Sequence, residues 1–371
     1  MQAFYSPTRI IAGDGAVAGA AGLIQKFGKT ALLVTGKASA RVSGALDDVI
    51  RVLKANGQDY ALFDRVGPNP SVETVFAGAA FSIEHKCDFC IGIGGGSPLD
   101  AAKAIAAFAA ETPKKEDVFL HIPKIALRLV AIPTTAGTGS EVTQYAILTN
   151  DQEETKTSIA SDALFPALAL LDPRYTVGLS VETTVNTAID ALSHAAEGML
   201  SVKAGEITDA LAIDALGLIS SRFSALRAGE FTEDDRRALL LAACLAGQVI
   251  ANTGTTAVHA LGYSLTYDRH IDHGRANGLV MGAFLRAVEA KSKRSVARIL
   301  RAMRLKSTED FCVLLEDLFG KVSLTDGEVS KYARKAAKTK NMKNLIVSLN
   351  EEELSGILTA SRAGGAYGKV W

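Results

Sequence analysis

Two architectures in one chain are predicted: an α/β N-terminal half, with a mostly parallel sheet covered by helices on both faces, and an all-α C-terminal half. Three observations carry that expectation. Strand and helix signals alternate through the first half of the 371 residues. The strand signals nearly stop after "PALALLDPRYT". Beyond it, long Ala/Leu-rich stretches keep helical spacing to the end. The composition shift puts a boundary near 177–182, dividing 1–180 from 181–371.

The strands are expected at "TALLVTG" (Thr30 to Gly36), "DYALFD" (Asp59 to Asp64), "DFCIGIG" (Asp88 to Gly94) and "LRLVAIP" (Leu127 to Pro133). Each is a short β-rich run, and helix-period segments near 40–55, 71–85 and 98–109 lie between them. Such alternation builds a parallel sheet. A 48% hydrophobic fraction supplies the cores, and 6% aromatic content leaves them to Ala, Val, Leu and Ile.

Charge excludes some partners. Lys plus Arg and Asp plus Glu both number 40, so no positive field gathers nucleic acid or anionic lipid. The basic run "KYARKAAKTKNMKN" reads as a solvated helix face. The stretch "ALLLAACLAGQVIA" (Ala238 to Ala251) is too short to span a bilayer and reads as a buried helix. The opening "MQAFYSPTRIIAGDG" carries no basic segment before a long apolar run, so no secretory signal is expected. Cysteines set mostly in apolar stretches fit a reducing, cytoplasmic setting.

"IGIGGGSPLDAAKAIA" follows a strand and opens a helix. Ser97 is expected to cap that helix, with Pro98 in its first turn and Asp100 three residues after the cap. Gly94, Gly95 and Gly96 let backbone amides approach a ligand at a helix N-terminus, an anion site suited to a pyrophosphate. The loop departs from the usual dinucleotide fingerprint, because Ser97 takes the place of the last glycine and the loop follows about the fourth strand. A second polar loop, "PTTAGTGSEVT", puts Thr134, Thr135, Thr138, Ser140 and Thr143 at the carboxyl end of the next strand. At the second strand's end stand Gly36 and Lys37 with no carboxylate, which favours NADP(H) over NAD(H). Asp64, closing the following strand, is the competing acid.

In "IDALSHAAEG", Asp190 and His194 are spaced i, i+4 and point the same way. "AVHALGYSLTYDRHIDHGRANG" adds His259, His270 and His273, so four of the six histidines lie beyond residue 190. One carboxylate with two or three imidazoles suits iron(II) or zinc(II).

Together "GGGSPLDAAK", "IPTTAGTGSEVT", "DALSHAAEG" and "HALGYSLTYDRHIDHG" resemble the iron-dependent (group III) alcohol dehydrogenases, in order along nearly the whole chain. The resemblance implies a dehydroquinate synthase-like architecture, an α/β dinucleotide-binding domain followed by a helical metal domain. It implies metal ligands Asp190, His194, His259 and His273, holding iron(II) with zinc(II) as the alternative. It implies cofactor contacts around Gly36, at Asn69, at Gly95, Gly96, Ser97 and Asp100, through Thr134, Thr135, Thr138 and Thr143, to Lys156. Where many members carry another histidine near the nicotinamide, this chain has Tyr263, so Tyr263 or His270 is left for the proton route. The implied activity is reversible oxidation of a small alcohol to an aldehyde by a homo-oligomer, a dimer or larger. The rivals are a zinc polyol dehydrogenase of the glycerol type and a metal-free maleylacetate-type reductase.

Overall fold

The computed structural model describes residues 3–153 and 155–362. Strand β1 (Arg9–Ala12) is followed by two single-turn helices, α1 (Ala16–Gly19) and α2 (Ala21–Ile24), then β2 (Thr30–Gly36). The helical signal near 40–55 divides into α3 (Ser39–Val42) and α4 (Ala45–Ala55), because Gly44 between them takes a left-handed φ of 80°. Helix α4 buries Ala45, Leu46, Val49, Val52 and Leu53, one stripe at helical spacing. Then come β3 (Asp59–Val66), α5 (Val72–Glu84), β4 (Phe89–Gly94), α6 (Gly96–Ala110) and β5 (Arg128–Pro133). An antiparallel hairpin, β6 (Tyr145–Asn150) with β7 (Thr155–Ala160), precedes β8 (Leu168–Leu171).

Six of these strands form one parallel sheet in the order β1-β8-β5-β4-β2-β3. The order places a switch between β2 and β4. The chain leaves β2 for β3 on one side and leaves β4 for β5 on the other, so a crevice opens at their carboxyl ends. The crossovers also change faces: α1, α2 and α4 share one core layer, and α5 with α6 fills the other. Helix α6 is alanine-rich and buried continuously from Pro98 to Phe108, so small side chains let it lie close on the sheet. Each Val, Leu or Ile buried in β2 or β4 contributes roughly 1.5–3 kcal/mol of hydrophobic stabilisation.

The C-terminal elements are all helices apart from isolated bridges: α7 (Val181–Met199), α8 (Glu206–Ser220), α9 (Phe223–Ala228), α10 (Glu233–Thr253), α11 (Ala257–Arg269), α12 (His273–Lys291), α13 (Lys293–Ala302), α14 (Thr308–Phe319), α15 (Asp326–Ala337) and α16 (Glu351–Ser361). Helix α12 lies at their centre, packed on α7, α11, α13, α14 and α16. The basic run begins in α15, whose Val329, Tyr332, Ala333 and Ala336 face inward while Lys331 and Arg334 pair at the surface with Asp268 and Glu351. Among the described residues no single helix is long and apolar enough to cross a membrane.

Two compact units result. One takes in Ser6–Ser180 with Thr232–Gly247, and the other Val181–Phe231 with the chain from Gln248 onward. Thr232–Gly247, a stretch that the change of composition assigns to the helical half, therefore clusters with the sheet. The physical reason is close backbone approach: a Cβ built on Gly247 would stand 2.8 Å from the Gly139 Cα.

Candidate functional site

In the helical unit, α7 presents a buried face from Thr184 to Met199 that holds Asp190 and, one turn on, His194. His259 enters from the first turn of α11, and His273 is the first residue of α12. The Nε2 atoms of His194, His259 and His273 stand 3.9, 3.9 and 3.8 Å from one atom, Asp190 Oδ1. Asp190, His259 and His273 form the tightest set, with donor atoms within 4.8 Å of one another. His194 joins it through Asp190 and by stacking on His259, ring centroids 4.8 Å apart.

Donor spacing decides whether this set fits a divalent ion. Ligand atoms about 2.0–2.2 Å from a tetrahedral metal are about 3.3–3.6 Å apart. The three carboxylate–imidazole spacings are a few tenths of an ångström wider, and one carboxylate with three imidazoles is a donor set for iron(II) or zinc(II). Electrostatics agrees. Burial pushes the Asp190 carboxyl up, but the three imidazoles and the Asn277 amide outweigh it and hold it below its ordinary value. Burial alone lowers His259, yet the carboxylates of Glu197 and Asp190 raise it overall.

Two residues here were not anticipated. Asn277 Nδ2 donates to Asp190 Oδ1 at 2.9 Å and lies 3.2 Å from His259 Nε2. Glu197 meets His259 Nδ1. Both carry a signal in the sequence: Asp190, His194 and Glu197 are spaced i, i+4, i+7, and Asn277 follows His273 by four. Of the two residues considered for the proton route, Tyr263 is at the cluster. Its ring stacks on His273 with centroids 5.6 Å apart and meets His259 edge-on. His270 is corrected: it is exposed and closes α11 as a left-handed C-cap, φ 52°, which takes it out of the cluster.

In the α/β unit, the glycine loop at the end of β4 and the threonine loop at the end of β5 lie side by side, because those strands pair in register. Thr134 N donates to Gly94 O at 2.9 Å, and a Cβ on Gly96 would be 2.7 Å from Thr138 Cγ2. Only glycine admits that approach. The N-cap of α6 is Gly95, with no side-chain cap, so Ser97 does not have the role expected of it. Its hydroxyl instead accepts from Asn69 N at 3.2 Å, tying the left-handed Asn69 turn to the loop.

Burial divides the expected cofactor contacts. Gly36, Gly95, Gly96, Ser97, Thr135, Thr138 and Lys156 are half-buried, and Lys37 and Asn69 are exposed. Thr134, Asp100 and Thr143 are buried. Both oxygens of Asp100, expected as a cofactor contact, make hydrogen bonds within the protein. It accepts from Ser140 Oγ at 2.5 Å and from Ile147 N at 3.1 Å. Thr143 Oγ1 likewise accepts from Lys103 Nζ at 3.1 Å. Near the end of β2, the guanidinium of Arg41 stands 3.9 Å from the Asp64 carboxylate.

A parallel sheet with a glycine loop at its switch point, in one chain with a helical carboxylate–imidazole cluster, defines a class of nicotinamide- and metal-linked oxidoreductases. Comparison with known proteins places the chain within that class. Residues 7–173 match the family described as iron-containing alcohol dehydrogenase, and 184–361 match the C-terminal part of the same family. A relative named NADPH-dependent butanol dehydrogenase, from Clostridium saccharobutylicum, is 32% identical over 82% of this chain and 79% of its own length. An NAD-dependent methanol dehydrogenase of Bacillus methanolicus is 31% identical over 76% and 74%. The crystal structure of an iron-containing alcohol dehydrogenase from Thermotoga maritima superposes with a TM-score of 0.91 at 38% identity, covering 97% of this chain and 99% of that one. The chain belongs to the iron-containing alcohol dehydrogenase family, and it is an alcohol/aldehyde oxidoreductase of the kind whose family implies iron and NAD(P).

Proposed function

We propose that the chain interconverts small alcohols and aldehydes with NADP(H), and that Asp190, His194, His259 and His273 hold iron(II), with zinc(II) as the alternative. The observation that carries this reading is the near-equal spacing of three imidazole nitrogens around one carboxylate oxygen. When bound, the ion supplies Lewis acidity at the substrate oxygen and the nicotinamide accepts or donates the hydride.

The remaining roles belong to this chain's own side chains. Asp190 and the three histidines fix one position for the substrate oxygen. His273, with a side chain 25% exposed against 5% or less for the other three, is the partly open member. Tyr263 packs its ring on His273 and His259, and we assign the proton route to it. The amides of Gly95 and Gly96 at the start of α6 receive the pyrophosphate, and the hydroxyls of Thr135 and Thr138 flank them. Thr134 is buried behind them. Asn69 and Lys156 stand at the same rim, on the turn and the hairpin that meet through the Thr149–Asn69 hydrogen bond and the Thr149–Lys156 strand pair.

NADP(H) is favoured on two grounds. Gly36 and Lys37 end β2 without a carboxylate, and the nearby acid, Asp64, faces Arg41. A cytoplasmic enzyme is favoured by four free cysteines. A homo-oligomer follows from the family resemblance.

The test is a panel of short alcohols, diols and aldehydes run with NAD(H) and NADP(H) in parallel, on protein loaded separately with iron and zinc. Retained turnover in His259→Ala and His273→Ala would sink the proposal. A preference for diols with zinc would move the substrate to the polyol class.

A further inference from the structure

Glu197 is fully buried and outside the proposed ligand set, yet each hydrogen bond of its carboxylate leads to His259 or to the helix that carries it. Its Oε1 accepts from Thr256 N at 2.8 Å, Thr256 Oγ1 at 2.7 Å and Val258 N at 3.0 Å. Those groups are the amino end of α11, where the N-cap residue Thr256 offers no side-chain cap of its own. A carboxylate from α7 thus caps α11 at the positive end of its dipole. The other oxygen, Oε2, meets Nδ1 of His259, two residues into that helix.

This geometry settles which nitrogen of His259 is available. An ionised carboxylate only accepts, so Nδ1 carries a hydrogen and, in the neutral ring that a metal binds, the lone pair is on Nε2. Nε2 is the atom 3.9 Å from Asp190 Oδ1. Charge gives a second reason. Asp190 and Glu197 are both buried, and among the described residues neither has a lysine or arginine as a hydrogen-bond or ion-pair partner. Two desolvated carboxylates call for compensating positive charge, and a divalent cation carries two.

We infer that Glu197 is a positioning residue: it selects Nε2 of His259 as the ligating nitrogen and so sets how tightly the site holds its divalent cation. The inference rests on the metal reading of the four-residue cluster.

Glu197→Gln tests it with almost no change of shape. One end of the amide must accept from the α11 N–H groups, which turns its NH2 toward Nδ1 and pushes the ring hydrogen onto Nε2. The affinity of the metal-stripped full chain for Co(II) and Zn(II), read by competition with a chromophoric chelator, is expected to fall about 10–100-fold. Glu197→Asp, which keeps the charge, is expected to recover part of that loss. The ¹⁵N resonances of His259 in the metal-stripped protein should show Nδ1–H in the wild type and Nε2–H in the glutamine variant. Cation affinity within about threefold of wild type in a folded Glu197→Gln protein, far short of the expected loss, would overturn the inference. So would a drop in thermal stability with affinity unchanged, or a wild type already in the Nε2–H form. If Glu197→Gln fails to fold, the wild-type tautomer decides alone. Failure of the metal reading looks different: the wild type then binds neither ion, while the tautomer still reports on the Glu197–His259 contact.

Discussion

At the scale of single residues, Asp190 illustrates how a buried charge becomes useful. One of its oxygens faces three imidazole nitrogens and the Asn277 amide, which hold the carboxyl below its ordinary value against the opposing effect of burial. Removing a proposed ligand should exceed the usual cost of a supporting contact. His259→Ala and His273→Ala are therefore expected to lose bound metal on analysis and more than about 100-fold in turnover. On the proposed NADP(H) reading, Lys37 and its neighbour Arg41, which faces Asp64, lie at the cofactor's 2′-phosphate end. Either one replaced by alanine should raise the KM for NADPH about tenfold and leave that for NADH nearly unchanged, since a hydrogen bond to a charged group contributes about 1.5–3 kcal/mol. Equal effects on both cofactors would remove the case for a 2′-phosphate contact.

At the scale of elements, the threonine loop is held by a group of buried polar side chains. Asp100 and Lys103, both on α6, reach Ser140, Thr143 and the backbone of β6. Burial pushes Glu141, in the same loop, up to about 7 and Lys103 down to about 8. Between pH 4.5 and 7 the folded chain therefore keeps a proton on Glu141 that the unfolded chain has released. Stability should fall as pH rises through that window, by up to about 3 kcal/mol from this group. Lys103 acts in the opposite sense: its burial penalty is present below about 8 and is relieved as pH rises from there toward 10.5. Glu141→Gln should flatten the unfolding free energy between pH 4.5 and 7, measured by denaturant titration. An unchanged slope would show that the carboxyl is not protonated in the fold.

At the scale of the whole molecule, the same chemistry predicts a stability linked to metal. A cation that binds only the folded chain stabilises it by about 2.7 kcal/mol at a hundred times its Kd. Chelator-stripped protein should therefore melt several degrees lower, and iron(II) or zinc(II) should restore the loss.

Much of this was legible along the chain because its signals are local. β2 coincides with "TALLVTG", and β4 and β5 begin within a residue of expectation, because a strand buried on both faces reads as an unbroken apolar run. β1 and β8 are only four residues each, and β8 joins the sheet on β5 while β1 joins on β8, long-range events that short windows do not register. The residue types for phosphate and for metal were visible, since glycine loops and i, i+4 donor pairs follow from helix and turn geometry. Which of those residues face a ligand was decided only by packing. Ser97 left its cap to bond Asn69, and Asp100 turned inward to hold Ser140. His270 closed a helix, and Glu197 reached across to another helix's first turn. Local spacing sets which way a side chain points from its own element; its partner depends on elements that meet across tens or hundreds of residues, and only the folded chain brings those together.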